Sequence, residues 1–266
     1  MDSDKPIAKK PQPRGGDSRR ARSRAVISIV AGLLLWEVLA RTVLTNRLIL
    51  VPLSTVLEAL WAMARTGELW KHAYVSLIEF VLGFGLAAAA GVFFGFVTGT
   101  SARMREHLEP LVSALYATPL VALIPFYILV FGIQLASKVA LVFTIAVFPI
   151  MINTQAGILS VEKNLLEVAS SFRASRRQIF FKVQMPAAIP FILSGLRLGV
   201  GRALTGVVVG ELFFATAGLG FVISIAAQGF DTARVFVGVV IFALAGVLAI
   251  GLLQMVEKRM APWRLT

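Results

Sequence analysis

Residues 74–98 read YVSLIEFVLGFGLAAAAGVFFGFVT, a run of 25 residues with one charged side chain, Glu79. Few environments accommodate such a run. A hydrocarbon core needs about 20 apolar residues in helical form to be crossed, and apolarity on every face excludes the strict alternation of a membrane barrel strand. Comparable runs occupy 25–40, 111–131, 139–158, 189–214 and 235–256. With 58% hydrophobic and 15% charged residues and a mean hydropathy of +0.83, the chain holds more apolar surface than a soluble domain could cover. The expectation is an all-α integral membrane protein of about six spans.

Several chemistries are excluded. The chain has no cysteine, hence no disulfide or thiolate site, and its two histidines, His72 and His107, cannot alone form a metal centre. No G-x-x-x-x-G-K-[ST] stretch is present to cradle nucleotide phosphates. A net charge of +12 would suit nucleic acid, but the cations are distributed between spans and not along one face. With both ends placed in the cytoplasm, Lys and Arg number 18 inside against 6 outside, Arg197 and Arg202 within the fifth run completing the 26. That asymmetry fits the positive-inside bias and sets the expected orientation. Residues 1–24, polar and rich in proline and glycine, read as a flexible basic cytoplasmic tail without a cleavage site; residues 25–266 read as the membrane domain.

Between the spans, residues 53–61 repeat apolar side chains at helical spacing, which predicts an amphipathic helix at the outer interface. Pro119 and Pro125 predict a kinked third span, and Lys138 marks an external turn. In the fifth run, Gly195 with Gly199 and Gly206 with Gly210 have the small-xxx-small spacing of close helix contacts.

Residues 160–188 are the one polar, basic interruption that looks structured. Asn164 with Glu167, and Ser175 with Gln178, each have the spacing of a capping box, which predicts two short helices meeting at an elbow near residues 172–174. Arg173, Arg176, Arg177 and Lys182 crowd that elbow, while Ala169 and Phe172 would be exposed without a partner. Deeper in the membrane, Arg202 needs compensation. Attraction of an anionic solute and an ion pair with Glu79, Glu37 or Glu211 are both open, the pair being preferred where a partner is at hand.

Glu-x-Ala at Glu167, then Ala174-Ser175-Arg176, then Met185-Pro186-Ala187-Ala188-x-Pro190, resembles the EAA loop of inner-membrane permeases of binding-protein-dependent ABC importers. Trp36-Glu37, Val51-Pro52, Gly83-Phe84, LIPFYILVFGI with Ser137-Lys138, FPIMINTQAG, GLRLGVGRALTGVVVGELF, Gly218-Leu219-Gly220 and Ala261-Pro262-Trp263 are similar to the nitrate, sulfonate and taurine branch of that family. The resemblance implies a type I importer permease fold in the bacterial inner membrane. It implies a second permease copy, expected to be identical, a cytoplasmic ATPase dimer that holds the ATP and Mg, and an external substrate-binding protein; no cofactor belongs to this chain. It also implies that Asn164, Glu167, Ala169, Phe172, Arg173, Ala174, Ser175, Arg176 and Pro186 form the ATPase-coupling loop, and that the cargo is a small anion or zwitterion. Two departures stand out: Val168 and Arg173 replace the alanine and glycine usual in the loop, and Glu79 stands where many relatives have arginine. A secondary transporter or channel acting without an ATPase is the alternative, though no internal repeat or midplane ion-coupling site is evident. A membrane enzyme lacks a nucleophile or an acid–base set.

Overall fold

The computed structural model describes residues 16–44, 46 and 48–260, which hold helices and no strand. The chain divides into two compact units, Met1–Glu58 and Ala59–Thr266. In the first, α1 spans Gly16–Thr42. It therefore begins inside the stretch expected to be a flexible tail; residues 1–15 lie outside the described set. Near its end Glu37 is committed locally: Arg41 Nε donates to Oε1 at 2.6 Å, Ser54 Oγ to Oε1 at 2.9 Å, and the Ser54 backbone N–H to Oε2 at 3.1 Å. Ser54 lies in the first turn of α2, Leu53–Arg65, where backbone N–H groups lack helical partners and a carboxylate is favoured by the helix dipole. Trp36 Nε1 donates to Val51 O at 3.0 Å. Along α2, Val56 and Met63 are buried while Leu57 and Trp61 are exposed, as a helix at an apolar interface requires.

The second unit contains α3 (Glu68–Thr100), α4 (Ala102–Ala117), a 3-10 turn (Leu120–Leu123), α5 (Ile124–Phe131) and α6 (Leu135–Leu159). These are followed by α7 (Lys163–Ser171), α8 (Arg176–Ile179), α9 (Met185–Phe214), α10 (Leu219–Gln228) and α11 (Thr232–Met260). Among the described residues five helices are long and apolar enough to cross a membrane, or six if a bent pair counts as one span. That pair replaces the kinked third span expected at 111–131: Ala102–Ala117 and Leu120–Phe131 meet at 88°. Thr118, which precedes Pro119, is extended at φ −71°, ψ 135°; the proline ring clashes with a helical residue before it, so the chain turns there.

The core is a three-helix stack with α6 between α3 and α9. Gly83, Ala87, Gly91, Gly95 and Gly99 recur every fourth residue and form one smooth stripe on α3. A Cβ on Gly95 would lie 2.5 Å from Thr154 Cβ and 2.8 Å from Met151 O, and one on Gly91 would lie 2.8 Å from Ile150 Cβ. From the other side, a Cβ on Gly199 would lie 2.7 Å from Ile150 Cδ1, and one on Gly206 3.1 Å from Val142 Cα. Both faces of α6 are therefore in backbone-close contact. Ala87, Val142, Ala146, Ile150, Ala203 and Val207 are the buried centre. Without a hydrophobic drive between helices in lipid, such close approach supplies the dispersion contacts that hold the spans together.

Candidate functional site

At one end of this stack the chain leaves α6 and turns through α7 and α8. The first predicted capping box does not form. Helix α7 already begins at Lys163, with Glu162 at its N-cap and no side-chain cap, so Asn164 lies within the first turn, where its helical backbone cannot cap. Leu165 and Leu166 N–H both donate to Glu162 O, at 3.1 and 3.3 Å. Three residues alone separate α6 from α7, and the helix starts as soon as the chain has turned. Glu167 consequently stands exposed on α7, outside any ion pair among the described residues. Leu165, Val168 and Phe172 line up at helical spacing, all exposed, Phe172 at 84%.

The end of α7 is a Schellman cap. Ala174 N–H donates to Ala169 O at 3.1 Å and Arg173 N–H to Ser170 O at 2.8 Å. The residue after the helix must then adopt a left-handed conformation, a position normally given to glycine. Here Arg173 takes it, at φ 55°. The arginine that departs from the resembled loop thus carries backbone strain. It is exposed and in no ion pair among the described residues.

The second capping box forms in full: Gln178 N–H donates to Ser175 Oγ at 3.3 Å, and Ser175 N–H to Gln178 Oε1 at 2.8 Å. It opens a helix that does not stop. Arg176 starts α8, a π-helical turn at Phe180–Gln184 follows, and α9 continues to Phe214. The wide turn precedes Pro186, which has no N–H for the Lys182 carbonyl and whose ring would crowd that carbonyl in a regular helix. The result is a rod over Arg176–Phe214, 39 residues, about 58 Å at 1.5 Å per residue.

The intramembrane charges are arranged differently from the sequence expectation. Lys138, expected in an external turn, lies in the second turn of α6 because the helix begins at Leu135. It is buried, and its Nζ donates to Glu79 Oε1 at 2.5 Å. Glu79 is fully buried, and among the described residues its Oε2 lacks a hydrogen bond of good geometry. Glu211 holds α10 instead of an arginine. Gly220 N–H donates to Glu211 Oε2 at 2.6 Å, Ser76 Oγ to Glu211 Oε1 at 2.6 Å, and Leu219 N–H to Ser76 Oγ at 2.8 Å. Gly218 N–H donates to His72 Nδ1 at 3.1 Å, which requires the lone pair on Nδ1 and so a neutral ring protonated at Nε2. Side chains of α3 and α9 thereby satisfy the free N–H groups that begin α10. The sequence reading gave His72 and Ser76 no role at the start of α10; the one signal was the Gly218-Leu219-Gly220 triplet ahead of an apolar run.

Arg202 meets neither Glu79 nor Glu211. Nine residues separate it from Glu211, about two and a half turns, so the two side chains leave α9 on opposite sides. Arg202 is exposed with Ser194, Leu198, Gly201 and Thr205, and is in no ion pair among the described residues. Arg197 pairs with Glu257 of α11 at 2.8 Å. Among the described residues no cluster of three His, Asp or Glu side chains is disposed to hold a metal ion.

Residues 87–262 match the family model of the binding-protein-dependent transport system inner membrane component. The chain belongs to this family. SsuC of Bacillus subtilis (strain 168), named as an aliphatic sulfonates transport permease protein, is 35% identical over 230 residues, covering 86% of this chain and 83% of that protein. TauC of Escherichia coli (strain K12), the taurine transport system permease protein, is 33% identical over 237 residues, 87% and 86% of the two chains. In fold, a chain of the inward-facing MetNI methionine ABC transporter superposes with a TM-score of 0.62 at 17% identity, covering 70% of this chain and 93% of that one. This chain is thus a multi-pass inner-membrane permease subunit of an ABC importer with the type I fold. Membership implies, in general, an ATPase and a substrate-binding protein as partners.

Proposed function

We propose that two copies of this chain form a pathway for a small organic anion or zwitterion of the sulfonate or taurine kind, and that the α7–α8 elbow delivers ATP-driven motion to it. The observation that carries this reading is the continuous rod Arg176–Phe214. The Ser175–Gln178 box begins it, and Arg202 with its polar neighbours occupies an exposed stripe farther along. The exposed apolar row Leu165, Val168 and Phe172 is the natural seat for the ATPase, because apolar side chains at this density gain from being covered. A displacement of the elbow then moves the rod and, with it, the face bearing Arg202. A charge at such depth is costly against lipid and is stabilised in a wet pathway, where it attracts anions. Binding-protein and nucleotide states shift the permease between its conformations through their differential affinity.

The test is reconstitution with the cognate ATPase and binding protein. Glu167→Lys should leave insertion intact and lower substrate-stimulated ATP hydrolysis. Arg202→Gln should leave yield intact and abolish uptake of the anionic substrate. Unchanged coupling in the first variant, or unchanged uptake in the second, removes the corresponding half of the proposal.

A further inference from the structure

The two faces of the α8 segment look onto different surroundings. Gln178, Lys182 and Val183 line the elbow cleft with Ala169, Phe172, Arg173 and Ala174. Arg176, Arg177, Phe181 and Gln184 instead line a groove against the last two turns of α3, with a cavity volume of about 840 Å³. We propose that this second groove binds an anionic phospholipid, with its phosphate on Arg176 and Arg177 and an acyl chain along Phe93, Phe96 and Phe181.

Depth supports this assignment. Counting along α3 from Tyr74, an aromatic of the kind that marks an interface, about 20 residues span the hydrocarbon core. The far boundary therefore falls at Phe93 and Phe94. Thr100 lies about 10 Å beyond at 1.5 Å per residue, which is the headgroup layer. The groove thus has its aromatic wall at the acyl level and its cations at the phosphate level. Phe93 is 60% and Phe181 53% exposed, and Phe96 packs edge-on against Phe180 at 5.4 Å. The Arg177 guanidinium sits 5.8 Å from the Phe181 ring centroid, which joins the cationic and aromatic parts of the surface. Arg176 and Arg177 enter no ion pair among the described residues.

Charge complementarity selects the occupant. A second copy of a chain with net charge +12 brings more cations than anions, whereas basic pockets between spans at a membrane face suit lipid phosphates. Such a lipid would tie the end of α3 to the start of the rod without occupying the elbow cleft.

Native mass spectrometry of the intact permease–ATPase complex tests the proposal, with phosphatidylglycerol and phosphatidylcholine as the probes. Phosphatidylglycerol should be retained in preference to phosphatidylcholine. Arg176→Gln with Arg177→Gln should reduce its affinity about thirtyfold, the usual effect of two basic residues beside an anionic surface. Arg103→Gln with Arg105→Gln, just beyond the end of α3, should not. Since Arg176 also lies in the coupling loop, Phe93→Ser serves as a second variant outside it and should likewise weaken retention. Equal retention of both lipids, or an undiminished affinity in both groove variants, overturns the site. So does displacement by millimolar inorganic phosphate, which would identify a soluble anion site, or crosslinking of position 93 to a second copy or to the ATPase in place of lipid.

Discussion

Replacing Arg173 with glycine should stabilise the elbow, and the size of the effect follows from its backbone. A left-handed conformation costs a non-glycine residue about 1–2 kcal/mol. Glycine avoids that strain but raises the entropy of the opened chain by an equivalent of about 0.5–1 kcal/mol. The balance is a gain of about 0.7 kcal/mol, close to a threefold shift in a local opening equilibrium. Two amides report it: those of residues 173 and 174, which donate to Ser170 O and Ala169 O. Their hydrogen exchange, measured by mass spectrometry on the reconstituted complex under conditions where reclosing outpaces exchange, should slow about threefold in Arg173→Gly. Arg173→Ala supplies the control, because alanine suffers the same clash at φ 55°. It should exchange no more slowly than the native protein. If alanine and glycine slow exchange equally, the guanidinium and not the backbone is the source of strain, and the reasoning fails.

Lys138→Met should destabilise the permease by about 3–5 kcal/mol, since it strands the buried Glu79 carboxylate; adding Glu79→Gln should recover much of that loss in thermal unfolding of the solubilised protein. Gly95→Ala forces a methyl against Thr154 and the Met151 carbonyl and should cost about 1–3 kcal/mol by overpacking, whereas Gly85→Ala, with nothing within 4 Å, should not lower the unfolding temperature, since alanine favours the helix interior over glycine. Gly218→Ala meets the Glu211 carboxylate at a φ of +123°. It should detach the start of α10, seen as faster amide exchange at residues 218–220 with the α3–α6 contact intact.

What could be read from the sequence was what periodicity and composition encode. The spans, the glycine contacts of α9 and the Ser175–Gln178 box depend on local spacing, and local spacing survives folding. The Asn164–Glu167 box has the same spacing and failed, because the short link from α6 starts the helix two residues too early for Asn164 to cap it. Lys138 was misplaced for a related reason: a lysine beside an apolar run signals a span boundary unless a carboxylate from another helix meets it, and Glu79 lies 59 positions away in the chain. The pairing of Arg202 was a matter of phase. Depth along α9 put it within reach of several glutamates, yet the half-turn between residues 202 and 211 sends it to the other face. The same phase argument divides the α8 segment, with Gln178, Lys182 and Val183 toward α7 and Arg176, Arg177, Phe181 and Gln184 toward α3. The strained Arg173 cap fixes the direction in which the chain enters that segment, so it also fixes which residues face each groove. A change in the cap should therefore alter the elbow cleft and the α3 groove together, although the arginine itself lines only the first.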